Sequence, residues 1–118
     1  MKTKDELGRY GEDVAVAYLE RSGLQVLERN WRCPLGEIDV IALDGDCLVV
    51  CEVKTRRSVS AGRPEEAVTA AKLARLRRLT AAWLAAQDVS WPQVRIDVVT
   101  VLLPRAGPAR IEHWPAVG

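Results

Sequence analysis

Residues 36–54 constrain this chain more than any other stretch. Two apolar segments, Gly36–Leu43 (GEIDVIAL) and Cys47–Lys54 (CLVVCEVK), flank Asp44-Gly45-Asp46. An Asp-Gly step between such segments predicts a tight β-hairpin. Strand alternation then puts Glu37, Asp39 and Ile41 on one face and Ile38, Val40 and Ala42 on the other. In the second segment Val50, Glu52 and Lys54 share a face, opposite Cys47, Val49, Cys51 and Val53. A two- or four-residue loop puts Asp39 and Glu52 on one side of the sheet, and a Gly45-Asp46 loop would set them directly opposite, though sequence does not fix the register.

Facing carboxylates destabilise a sheet unless something cationic lies between them. Two of them a few ångströms apart suit Mg²⁺, which takes one or two protein carboxylates and keeps water on its other positions. Lys54, two residues beyond Glu52, reaches the same space and can neutralise charge on a phosphate. The structural alternative is a polar strand end in which Lys54 pairs with Glu52 or Asp39. Glu12 is a candidate fourth member, in a helical row with Gly8, Ala15 and Leu19, where small neighbours would let the helix approach the sheet closely.

The flanking segments supply helices and further strands. Thr3 with Glu6 is a capping-box pattern that opens a helix to about Ser22, stopped at Gly23, with Leu7, Tyr10, Val14 and Tyr18 as its apolar stripe. Gln25–Arg32 reads as a strand, Thr55–Gly62 as a polar loop, and Pro64-Glu-Glu as the start of a helix to about Gln87, with Val68, Leu76, Leu79 and Trp83 inward. Val94–Leu103 and Arg110–Trp114 complete an order α-β-β-β-α-β-β, which predicts an α/β fold with a mixed sheet flanked by helices. Asp97 stands in an apolar strand, and pairing with Arg95 or a neighbour is its expected role; Cys47 and Cys51 are expected as small core hydrophobes.

With 118 residues, the chain is expected to form a single domain, its core at about 3–103 and a short strand and tail at 104–118. No stretch approaches the ~18 apolar residues of a membrane span. The polar start and three cysteines without a CxxC pair predict a cytoplasmic protein rather than a secreted disulfide scaffold. Formal net charge is only +1, yet residues 54–78 hold eight basic residues against Glu65 and Glu66. That local field can attract phosphate. Arg56 and Arg57, leaving the strand end after Lys54, and Lys72, Arg75 and Arg78 on the second helix are the candidate nucleic-acid contacts. Their alternative is a solvated face meeting an acidic protein.

GRYGEDVAVAYLERSGLQVLERNWR, GEIDVIA, VCEVKTRR, the K-x-x-R-L helix and RIDVV together resemble the YraN-like bacterial family over about residues 5–101. That family resembles archaeal Holliday-junction resolvases and the PD-(D/E)xK nuclease superfamily. The resemblance implies a restriction-endonuclease-like core, with Asp39 and Glu52 as metal ligands, Lys54 as catalytic lysine and Glu12 beside the metal. It implies a Mg²⁺-dependent (or Mn²⁺-dependent) endonuclease for branched or single-stranded DNA; a homodimer is a further candidate, and the sequence does not reveal the oligomeric state. The superfamily's proline is absent, since Gly36-Glu37-Ile38 precedes Asp39. Two further classes compete: a nucleic-acid-binding module that no longer cleaves, and a small protein-interaction domain.

Overall fold

The computed structural model describes residues 3–57 and 69–117. Its elements are α1 (Lys4–Arg21), β1 (Gln25–Cys33), β2 (Gly36–Asp44), β3 (Cys47–Arg56), α2 (Ala70–Ala85), β4 (Gln93–Leu102) and β5 (Arg110–Trp114). The strands form one mixed sheet in chain order, β3 parallel to β4 and every other pair antiparallel. This is the α/β order expected from the sequence, and it is consistent with a nuclease-like core.

Local chemistry explains the first helix. The Thr3 hydroxyl accepts the Glu6 N–H at 3.1 Å, and Gly23 (φ 97°) closes the helix in the left-handed region. The Leu24 N–H returns to the Leu19 carbonyl at 3.0 Å and the Gly23 N–H to Glu20 at 3.0 Å, a Schellman end with Leu19 and Leu24 in one apolar cluster. The buried face differs from the expected stripe. Gly11, Ala15 and Leu19 face the sheet, whereas Tyr10 is 45% exposed. The reason is close approach: a Cβ on Gly11 would collide with the Thr55 side chain, so small residues mark the contact line.

α1 covers Val40, Ala42, Val49, Cys51, Val99 and Val101; α2 covers the other face, with Leu76, Leu79 and Trp83 against Ile38, Ile41, Leu48 and Val50. Helices on both faces explain why the central strands are apolar throughout. Burial also pushes the Cys51 thiol pKa up, which keeps it an inert core group. α2 begins later than expected. Thr69 is its N-cap, extended at φ −89° and ψ 162°, and accepts the Lys72 N–H at 3.1 Å. The expected Pro64 start, inward Val68 and most of the 55–62 loop lie outside the described residues; Thr55 and Arg56 belong to β3.

Asp97 is fully buried. It accepts from Arg95 Nε at 3.0 Å and the Ala116 N–H at 2.9 Å, and lies 2.7 Å from His113 Nε2, while His113 Nδ1 lies 3.1 Å from the Tyr18 hydroxyl. One carboxylate thus ties β4 to β5, the following segment and, through His113, α1. The expected Arg95 pairing is present.

Candidate metal centre

The hairpin has the expected two-residue loop. Asp44 pairs with Cys47, Gly45 is left-handed (φ 62°), and the ladder runs to Val40 opposite Cys51. Asp39 and Glu52 are the next residues on each strand, but Asp39 does not continue the ladder. Its Oδ2 accepts the Val53 N–H at 2.9 Å, taking the place of a backbone acceptor where β2 and β3 part.

The side-chain alternation also breaks there. On β2, Ile38 and Ile41 pack toward α2, whereas Val40 and Ala42 pack toward α1. The partner strand breaks in step. Arg29 reaches Asp13 on α1, Trp31 packs toward α2, and Asn30 between them has φ 55°. Asn30 and Asp39 are skipped in the register between Arg29–Val40 and Trp31–Ile38. A left-handed residue in a strand reorients its neighbours. Asp39 therefore turns toward Glu12 of α1 instead of sharing a face with Glu52. Plain alternation did not anticipate this.

The result is a cluster of three carboxylates. Glu12, Glu37 and Asp39 each offer an oxygen within 4.8 Å of the others. They line a cleft of about 880 Å³ between α1 and the β1–β2 pair, together with Lys4, Arg9 and Arg32. Burial foremost raises the Asp39 pKa, to about 7; the Val53 bond opposes this, and the charges of Glu12, Glu52 and Glu37 add to it. Burial also raises the Glu12 pKa, opposed by the Arg29 charge and by a side-chain hydrogen bond from Asn30, with the Glu37 and Asp13 charges adding to it. Glu12 Oε1 is buried without a hydrogen bond, since Arg29 stands 4.0 Å away and donates to Asp13 at 2.7 Å. Three half-buried carboxylates converging in this way, with one Glu12 oxygen left unbonded, fit a hard divalent cation, whose charge would offset their repulsion.

The other sequence candidates lie around this centre. Glu52 sits on the α2 side of the sheet, with Lys72 Nζ 3.2 Å from its Oε1, though its charge still acts on Asp39. Lys54, half-buried, lies two residues farther along β3, opposite Thr100 of β4. Arg57 is exposed beside a separate hollow lined by Leu7, Tyr10 and Leu103, while Arg75 and Arg78 are exposed on α2. Glu37 is the member not singled out from sequence. Its signal was present, because Glu37 and Asp39 stand two apart on one strand and share a face.

Residues 11–101 match the profile described as "Uncharacterised protein family UPF0102". The chain is 64% identical to a UPF0102 protein of Kineococcus radiotolerans, covering 99% of this chain and 97% of the relative. It is 60% identical to one of Beutenbergia cavernae over the whole of both chains, and 54% identical to one of an Arthrobacter species, again end to end. With the profile spanning most of the chain and these relatives matching it along their length, the protein belongs to the UPF0102, or YraN, family.

Proposed function

We propose that this protein is a divalent-metal-dependent endonuclease acting on structured or single-stranded DNA. The observation that carries the reading is the meeting of Glu12, Glu37 and Asp39 within 4.8 Å, with Glu12 Oε1 buried and without a hydrogen bond. The resemblance of GEID and EVK to the PD-(D/E)xK nucleases supports it through Asp39, whereas Glu52, the second ligand that the resemblance implies, is held by Lys72 on the α2 side. Mg²⁺ or Mn²⁺ bound there would supply Lewis-acid polarisation of a phosphoryl oxygen and a nucleophile at neutral pH. Asp39, fixed by the Val53 N–H, would hold the ion from the split between β2 and β3, with Glu12 and Glu37 on the α1 side. Glu52 borders the site from the α2 side. Lys54 would neutralise charge on the scissile phosphate.

The test is a panel of branched, flapped and single-stranded DNA incubated with Mg²⁺, Mn²⁺ or chelator, with Asp39→Asn as control. Metal-dependent cleavage lost in Asp39→Asn supports the reading, and no cleavage of any substrate sinks it. A second reading, a DNA-binding module that does not cleave, is favoured by one observation: the Lys72 ion pair occupies Glu52 at 3.2 Å. Metal-independent, salt-sensitive DNA binding without cleavage would select it.

A further inference from the structure

α1 carries two glycines one turn apart, and only one of them is explained by packing. A Cβ on Gly11 would run into Thr55, whereas a Cβ on Gly8 would have no neighbouring atom within 4 Å. The sequence expectation that Gly8 brings α1 close to the sheet is therefore not met. Glycine inside a helix costs roughly 0.5–1 kcal/mol relative to alanine, so an open position favours almost any other residue. The fold alone does not account for Gly8.

Its surroundings suggest a reason. Gly8 lies four residues before Glu12, so it stands one turn along the same helix face. It lines the 880 Å³ cleft that contains Glu12, Glu37 and Asp39. A side chain at position 8 would project over the approach to those carboxylates. Exposed Lys4 and Arg9 flank it on α1, and Arg32, 78% exposed, stands across the cleft with its Nε 3.3 Å from Glu37. The cleft thus combines a bare stretch of helix backbone, a rim of Lys4, Arg9 and Arg32 interrupted by Asp5, and a carboxylate floor.

We infer that the groove over Gly8 is the seat of one DNA strand. Its sugar–phosphate backbone lies against the helix at Gly8, with flanking phosphates on Lys4, Arg9 and Arg32. This rests on the endonuclease reading and adds to it the path of the substrate, which differs from the path through Arg57, Arg75 and Arg78. Contacts of this kind position a strand without reading bases. Glycine serves here as it does wherever a ligand must approach the main chain closely.

The experiment measures fluorescence anisotropy of a labelled flap DNA, containing single- and double-stranded regions, in chelator so that metal plays no part. Gly8→Gln should melt at or above the wild-type temperature, bind Mn²⁺ as wild type does, and bind DNA at least about tenfold more weakly. Gly8→Ala, too short to fill the groove, should lose much less. Wild-type affinity in Gly8→Gln overturns the inference while leaving the endonuclease reading intact. Should Gly8→Gln not fold, Arg9→Ser on the exposed face decides: an unchanged affinity overturns the groove. A wild-type protein that neither binds nor cleaves the flap DNA overturns both readings together.

Discussion

Lys72 at the start of α2 and Glu52 on β3 form an ion pair across the helix–sheet interface, Nζ 3.2 Å from Oε1, with side chains only 20% and 18% exposed. A cation in the first turn opposes the helix dipole, and α2 has no acidic residue there to offset it. The partner across the interface supplies that offset. Lys72→Met should destabilise the fold by about 1–3 kcal/mol by leaving Glu52 half-buried and unpaired. Adding Glu52→Gln to it should recover much of the loss. A urea-unfolding double-mutant cycle measures the coupling, and strictly additive losses would show that the pair does not act as a unit.

Asp39 sets a pH dependence. Its pKa is raised from the ordinary aspartate range to about 7, so the folded state holds a proton that the unfolded chain releases near pH 4. The stabilising contribution is therefore complete below the unfolded pKa and is lost as pH rises through about 7. Glu12, shifted in the same direction, adds to the fall. Thermal melts should show stability declining across this window. Asp39→Asn, which keeps an acceptor for the Val53 N–H, should flatten the decline and be more stable at pH 8 by on the order of 2 kcal/mol.

Mn²⁺ or Mg²⁺ should reverse that decline, because protons and cations compete for the same oxygens. The rise in melting temperature on adding metal should be small at pH 5 and larger at pH 8. Asp39→Asn and Glu37→Gln should each reduce it. Equal shifts in wild type and both variants would place the ion elsewhere.

Gly11 gives a steric prediction with the opposite sign to Gly8. Gly11→Ala forces a Cβ into the Thr55 side chain and should cost about 1–3 kcal/mol, read as a lower denaturant midpoint. Gly8→Ala should instead gain roughly 0.5–1 kcal/mol. Both variants replace glycine with alanine on one helix, so propensity cancels and the difference isolates packing.

The sequence made the elements legible because their signals are local. The Thr3 and Glu6 cap, the Gly23 stop and the Asp-Gly turn each act within a few residues, and the structure has all three where expected. The side-chain faces were less legible. Alternation assumes an unbroken pleat, and the left-handed Asn30 opposite Asp39 breaks it. The break thus involves a residue of a neighbouring strand, and nothing within GEID announces it. The Thr69 cap that opens α2 was not read from the sequence, and the expected Pro64 start lies outside the described residues.

Asp97 bears on how the protein can be handled. Its oxygens are satisfied by Arg95, His113 and the Ala116 N–H, two of which lie on β5 or just after it. A chain cut before His113 would leave a fully buried carboxylate with Arg95 alone and short of two hydrogen-bond partners, at a cost of roughly 1–3 kcal/mol. The final strand, though remote from Glu12, Glu37 and Asp39, is thus a latch on the central sheet. Loss of the proposed nuclease activity on trimming the carboxyl end would report an unlatched scaffold and would not bear on the proposed role of the carboxylates.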